Sequence, residues 1–290
     1  MIFRFNKIYI VESLPEHDEK TGSELYNDVV RWKSFNNPNL KSELISPNNK
    51  IEWKSFIDKV LSECAQDGIL PLVHFEIHGS TNKNGLILAS KELITWEEIY
   101  DSLVKINIEC RMNLFVSLAV CHGAYLLTQY RISKRAFCIG LLGSFKTLPV
   151  SDLKIRFNEF YEELLTSFNI DKAYKNLLNS NPDSNIEYVC ISAIEIFYHV
   201  YRHYINNEVN NKRQLKKRSI KAINERGVIS LRRQRRIYQK RFRQMITKTK
   251  DEFYKEHSSI FFMFDLFPEK RDDYNIPDSL NEFMRQKIVP

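Results

Sequence analysis

The stretch Asn113-Leu-Phe-Val-Ser-Leu-Ala-Val-Cys-His-Gly123 decides the fold of this chain. Its apolar part, residues 114–120, contains no charge and no proline, which is typical of an interior strand in a parallel sheet covered on both faces. The run ends at Cys121, where we expect the strand to give way to a helix. In open α/β sheets, ligands bind at the carboxyl ends of such strands.

A second apolar run, Leu70-Pro-Leu-Val-His-Phe-Glu-Ile-His-Gly79, ends at His78-Gly79. The first run ends in a similar way, at Cys121-His-Gly123. If the two strands are parallel neighbours, His78 and Cys121 lie at the same edge of the sheet. A free thiol is only a few per cent thiolate at neutral pH, so it gains from a neighbouring imidazole. The pattern therefore predicts Cys121 as a nucleophile and His78 as its base. His122 is the competing base, but it follows the nucleophile directly and its ring should point elsewhere.

The rest of the chain up to about residue 145 alternates strands with helices. This order predicts an α/β fold with a mostly parallel sheet and helices on both faces. Strands are expected at residues 2–12, 72–77 and 136–143, a small hairpin after Asn84-Gly85, and helices at 23–35, 49–65, 95–106 and 124–130. Gly68 is expected to end the second of these helices, and Thr95 to begin the third with a capping box to Glu98. Beyond Asp152 the pattern becomes helical, with one helix at 188–204 and long basic segments at 212–257, interrupted near Gly227.

Positive charge is concentrated near the C-terminal end. The formal net charge is +7, yet residues 212–250 contain sixteen Lys or Arg and a single acid, Glu225. Such a block favours an anionic partner, for example a nucleotide second messenger or nucleic acid. We expect residues 1–170 to form the sheet domain and residues 171–290 a basic helical region for regulation or partner binding. The residues chosen for anion binding are Arg232, Arg233, Arg235 and Arg236.

Composition excludes several other classes. No apolar stretch is long enough for a membrane span, and the charged start of the chain does not resemble a signal peptide, so a cytoplasmic location is expected. The five cysteines are scattered and form no C-x-x-C pair, which argues against a disulfide framework or a zinc ribbon. No cofactor is expected.

Three segments carry a resemblance to a known family. They are Val73-His-Phe-Glu-Ile-His-Gly79, Leu118-Ala-Val-Cys-His-Gly123 and Phe137-Cys-Ile-Gly-Leu-Leu-Gly143, the last followed by a helix with Phe160-Tyr161. With the order His then Cys, the chain resembles the caspase-like cysteine peptidases over residues 1–168, and in particular the bacterial CHAT proteases.

The resemblance implies a caspase-like fold and a cysteine endopeptidase acting on a protein substrate, within a regulated bacterial defence or cell-death pathway. It also implies an oxyanion hole formed by the backbone N–H groups of Gly79 and Cys121. The chain departs from caspases in two ways. Ala119 replaces a glutamine, and the 15 residues between Cys121 and Phe137 are too few for the linker that caspases cleave when they mature.

The loops expected around this edge are acidic. They contain four carboxylates and only two lysines as counterparts. The carboxylates are Glu16, Asp18, Glu19 and Asp152, and the lysines are Lys20 and Lys146. An acidic rim favours cleavage after Arg or Lys, because a carboxylate forms charge-assisted hydrogen bonds with a cationic side chain. We assign Glu16, Asp18 and Asp152 to the substrate pocket.

Two other functions remain open. His74, Glu76 and His78 alternate along one strand and share a face, so a metal-dependent hydrolase is one alternative. The other is a non-catalytic caspase-like scaffold that binds nucleic acid or nucleotide through the basic C-terminal helices.

Overall fold

The computed structural model describes residues 3–225 and 232–286. Its strands are β1 Lys7–Ser13, β2 Lys41–Ile45, β3 Pro71–Gly79, β4 Gly85–Ile87, β5 Leu93–Thr95, β6 Phe115–Leu118, β7 Gly140–Gly143 and β8 Val189–Ser192. Within the described ranges they form one sheet with the order β2-β1-β3-β6-β7-β8. The first five strands of this order are parallel to one another, and β8 is antiparallel to β7. The strands β4 and β5 form a hairpin attached antiparallel to the end of β3.

The described α-helices are α1 Thr21–Leu25, α2 Arg31–Phe35, α3 Lys50–Asp67, α4 Trp96–Glu109, α5 Val150–Ser167, α6 Ile170–Asn179, α7 Ala193–Tyr204, α8 Lys212–Glu225, α9 Arg232–Phe261, α10 Arg271–Tyr274 and α11 Leu280–Arg285. A π-helical turn, Tyr26–Val30, joins α1 to α2. Local signals explain two boundaries that were predicted. Gly68 ends α3 in the left-handed conformation, and Thr95 begins α4 with a capping box to Glu98.

Helices cover both faces of the sheet. On one face, Ile8 and Ile10 of β1 belong to a buried cluster with residues of α1, α5 and α6. On the other face, the ring of Tyr9 packs against Phe56 of α3, with ring centroids 6.1 Å apart. The side chains of β1 alternate between two apolar layers, which explains why the strand is buried throughout. The prediction of an α/β fold with a mostly parallel sheet is confirmed.

The chain divides into two compact units. Unit 1 contains the described residues up to Tyr130 together with Ala136–Ala193, and unit 2 contains Arg131–Arg135 and the described residues from Ile194 onwards. The predicted boundary lay at residue 170, whereas α6 and β8 lie in unit 1 together with the rest of the sheet. The described part of unit 2 is helical and has its own aromatic core, which includes Phe197, Tyr201, Tyr254 and Phe283.

Several local predictions were wrong. Residues 189–192 form the edge strand β8 instead of the start of a helix, because Ile191 pairs with Leu141 of β7. Strand β7 covers only the end of the predicted strand 136–143, and the predicted helix 124–130 is a 3-10 helix, Gly123–Gln129. The parallel strand β2 and helix α6 were not predicted. The predicted interruption near Gly227 lies outside the described residues.

Candidate active site

The carboxyl ends of β3 and β6 form the centre of the candidate site. The two strands are parallel neighbours, paired from Leu72 with Phe115 to Phe75 with Leu118. Beyond this ladder their backbones remain in contact, because a Cβ atom added to Gly79 would lie 1.7 Å from the carbonyl oxygen of Cys121. No side chain fits in that space. The two segments predicted to be neighbours therefore touch at the point where glycine is required.

Cys121 lies three residues beyond the end of β6 and is partly buried. Its Sγ accepts a hydrogen bond from the backbone N–H of Leu148 at 3.3 Å. The carbonyl oxygen of the same residue lies 3.9 Å from Sγ, so Leu148 holds the sulfur in place at the end of the strand. The loop after β7 therefore helps to position Cys121.

His78 is paired with a carboxylate from another part of the chain. Its Nε2 lies 2.5 Å from Oδ2 of Asp18, and about half of the His78 side chain is exposed. The hydrogen bond from His78 holds the pKa of Asp18 below its ordinary value. The carboxylate of Asp18 accepts a hydrogen bond from the Nε2–H of His78, and in a neutral ring Nδ1 then carries the free lone pair. Asp18 thus holds the imidazole in the tautomer that a base requires, a role that sequence reasoning missed.

The loop that carries Asp18 is anchored at both ends by buried polar groups. The hydroxyl of Ser13 donates to the carbonyl of Pro47 at 2.5 Å, and that of Thr21 donates to Glu76 at 2.8 Å. Glu12 accepts hydrogen bonds from the backbone N–H and the hydroxyl of Ser23, at 3.0 and 2.7 Å. These contacts connect the two ends of the loop to β1 and β3, so the sheet positions the loop that carries Asp18.

The backbone N–H groups of Gly79 and Cys121 are the predicted oxyanion-hole donors. The N–H of Ser80 donates to the carbonyl of Gly85 at 2.9 Å, which makes that pair a hydrogen-bonded one. Because antiparallel pairs alternate, the preceding pair, Gly79 with Leu86, is not hydrogen-bonded, and the Gly79 N–H points away from β4. The Gly79 N–H is therefore not part of the β3–β4 ladder.

His122 has a structural role in this geometry. It adopts the left-handed conformation with φ of 61°. Its Nδ1 donates to the carbonyl of Phe145 at 2.9 Å, and its Nε2 lies 3.4 Å from the hydroxyl of Thr147. Its own N–H donates to the carbonyl of Lys146 at 2.9 Å. Both ring nitrogens therefore contact the loop after β7, which leaves His78 as the candidate base.

His74, Glu76 and His78 do not form a metal site. His74 is fully buried, with Nδ1 at 2.9 Å from the hydroxyl of Ser117 and Nε2 at 3.1 Å from Glu76. His78 instead contacts Asp18. Across the described ranges, no group of three or more His, Cys, Asp or Glu side chains is arranged to hold a metal ion. The alternative of a metal-dependent hydrolase is therefore not supported at these residues.

The predicted acidic rim is mostly engaged by the protein itself. Asp152 is 2% exposed, and its oxygens accept hydrogen bonds from Arg156, Asn181 and Tyr188, each at 2.9 Å. Asp152 is thus part of the interior, and its assignment to the substrate pocket was wrong. Elsewhere on the rim, Glu19 pairs with Lys154, and Lys20 donates to the carbonyls of Leu14 and Pro15. Glu16 is exposed and has no ion pair among the described residues.

The other cysteines differ from Cys121 in their surroundings. Burial raises the pKa of both Cys64 and Cys138 to about 12, and Cys110 is buried as well. Cys190 of β8 is partly buried, like Cys121. Cys190 is therefore the natural comparison for any test of thiol reactivity.

The arginines chosen for anion binding lie at the start of α9 in unit 2. Arg232, Arg235 and Arg236 are exposed there. The side chain of Arg233 lies outside the described part. Among the described helices, none is both long and apolar enough to cross a membrane.

Comparison with known proteins does not assign the chain to a family. Neither a scan against protein-family models nor a search of curated proteins gives a match.

Proposed function

We propose that this chain is a cysteine endopeptidase of caspase-like fold, in which Cys121 is the nucleophile and His78 is the general base and then the general acid. The observation that carries the proposal is the contact between Gly79 and Cys121, since it brings the two strand ends together. Asp18 on His78 and the Leu148 N–H on the sulfur add support.

These residues account for each step of peptide hydrolysis. The sulfur of Cys121 attacks the scissile carbonyl carbon while its proton passes to His78. The N–H groups of Gly79 and Cys121 bind the resulting oxyanion. The intermediate then collapses to a thioester, and the leaving amine takes the proton from His78. Water, deprotonated by His78, hydrolyses the thioester and restores the thiol.

We propose cleavage after Arg or Lys, with Glu16 as the carboxylate that binds the cation. Glu16 is the carboxylate available for this role, because Asp18, Glu19 and Asp152 are engaged by partners in the protein. Digestion of a peptide library tests this preference, and Glu16→Gln should reduce it. Cuts made mainly after Asp would contradict the assignment.

We propose the cellular role from the resemblance to CHAT proteases. The peptidase would act as a regulated effector in bacterial defence or cell death, inside the cell.

Thiol labelling tests the catalytic assignment without a known substrate. Iodoacetamide should alkylate Cys121 faster than Cys190, although both are partly buried. His78→Ala should slow the labelling of Cys121 and leave that of Cys190 unchanged, because only Cys121 depends on the imidazole. Cys121→Ala and His78→Ala should each abolish peptide hydrolysis with little change in thermal stability. Equal labelling of the two cysteines in both proteins would instead favour a non-catalytic scaffold.

A further inference from the structure

The first half of α9, residues 232–245, is here termed the basic arm. It contains seven Lys or Arg and no acid, and the first acids of α9 are Asp251 and Glu252. Without acids one turn away, these cations repel one another. The arrangement is unfavourable in the free protein and becomes favourable when a polyanion binds.

The basic arm is open to solvent around most of its circumference. Tyr238 and Phe242 are half-buried on one side, and their rings are stacked. The exposed cations are Arg232, Arg235, Arg236, Lys240, Arg241 and Arg243. Even the apolar side chains of Ile237 and Met245 are exposed, at 45% and 49%. A helix that is polar on nearly all sides contributes little of its surface to a hydrophobic core.

The neighbouring helix α8 extends the positive surface. It packs with α9 in unit 2. Its buried residues, Leu215, Ser219 and Ile223, occur at intervals of four and define one face. The exposed cations of α8 are Lys212, Arg213, Lys216, Lys217 and Lys221. Glu225, the single acid of residues 212–250, lies 3.8 Å from Lys221. In the sequence of residues 212–250, sixteen Lys or Arg therefore stand against one acid.

The dimensions of the basic arm match duplex DNA. Fourteen helical residues span about 21 Å, and a helix with its side chains is about 10–12 Å wide. The major groove of B-form DNA is about 12 Å wide and admits an α-helix. Duplex DNA carries a phosphate charge about every 1.7 Å, so this length faces roughly twelve phosphates. The major groove of A-form RNA is too narrow to admit such a helix.

We propose that unit 2 binds duplex DNA, with the basic arm in the major groove and the cations of α8 on the adjacent phosphate backbone. Arginine and lysine contacts to phosphate supply the affinity. A membrane surface fits less well, since only Ile237 and Met245 are exposed apolar residues on the basic arm. The inference does not depend on the proposed peptidase activity, and Cys121→Ala should bind DNA as the unmodified chain does.

Fluorescence anisotropy of the full chain on a two-turn DNA duplex, across a salt series, tests this inference. The test variant carries Arg232→Gln, Arg236→Gln, Lys240→Gln and Arg241→Gln. Each lost phosphate contact lowers the slope of log affinity against log salt by about 0.9. The four substitutions should therefore reduce the slope by about 3 to 4, and the affinity at about 0.1 M salt by at least a hundredfold.

The matched control removes the same charge from exposed lysines of unit 1. It carries Lys54→Gln, Lys105→Gln, Lys172→Gln and Lys175→Gln, and its slope should stay within about one unit of the original. An equal loss in the control would overturn the proposal, because net charge alone would explain the binding. Binding to an RNA duplex, a single strand or anionic vesicles as tight as to the DNA duplex would also overturn it. The single variant Lys240→Gln, with an unchanged thermal transition, should lower the slope by about one.

Discussion

The contact between Gly79 and Cys121 leads to a quantitative prediction for Gly79→Ala. The added Cβ would lie 1.7 Å from the carbonyl oxygen and 2.8 Å from the carbonyl carbon of Cys121, whereas real Cβ contacts are essentially never under 3.0 Å. The two backbones must therefore separate by at least 1.3 Å, the difference between 3.0 and 1.7 Å. Both atoms belong to the backbone, so no side-chain rotation can relieve the clash.

This separation should reduce activity far more than it reduces stability. A misplacement of about 1 Å among catalytic groups costs on the order of a hundredfold in rate. We expect kcat/KM for a cleaved peptide to fall by at least about that factor, while overpacking lowers the free energy of unfolding by about 1–3 kcal/mol. Peptide hydrolysis and chemical denaturation, measured on the same preparation, separate the two effects.

Two other glycines provide controls for the same substitution. Gly143→Ala meets no atom closer than 3.4 Å, so it should be tolerated in both measurements. Gly68→Ala has open space but a φ of 64°, so it should lose about 1–2 kcal/mol of stability and keep its activity. If Gly79→Ala hydrolysed peptides as fast as Gly143→Ala, the close approach of β3 and Cys121 could not be part of catalysis.

Three further predictions concern residues whose partners the structure identifies. Asp18→Asn should lower kcat/KM by about tenfold to a hundredfold. The effect should be smaller than the roughly ten-thousandfold loss for a buried triad aspartate, because His78 and Asp18 lie at the surface. Unchanged kinetics would exclude a role of Asp18 in positioning His78. His122→Gly should keep most of the activity, since glycine adopts the same φ, and complete loss in a folded variant would instead make His122 the base. Asp152→Asn should lower the free energy of unfolding by about 3 kcal/mol, as it leaves the buried guanidinium of Arg156 without a carboxylate.

The stabilisation by Asp152 should also depend on pH. Burial alone would raise the pKa of Asp152, but hydrogen bonds from Ser184, Arg156 and Tyr188 outweigh that effect and lower it. A lowered folded pKa means that the unfolded chain binds the proton more readily. The stabilisation by ionised Asp152 is therefore complete at pH values above about 3.9, the ordinary aspartate pKa. It is lost as the pH falls through the lower pKa that Asp152 has in the folded protein. Acid unfolding of Asp152→Asn should lack this component, and identical acid transitions in both proteins would contradict the argument.

Much of the fold was predictable from local sequence signals. The uncharged run 114–120 and the run ending at His78 predicted two neighbouring parallel strands, because continuous burial requires apolar residues on both faces. Gly68 and the Thr95 capping box predicted two helix ends, since these residues satisfy backbone groups that a helix terminus leaves unpaired. These signals depend on a few adjacent residues, so no distant contact was needed to interpret them.

Tertiary structure alone decided the features that depend on distant partners. Residues 189–192 form a strand because β7 offers them an edge, although their apolar pattern continues into α7. Asp18 and Asp152 appeared equivalent as loop carboxylates, yet one accepts a hydrogen bond from His78, and the other is buried against Arg156. The role of a carboxylate depends on which donors fold against it, and sequence spacing contains no information about a partner 60 residues away.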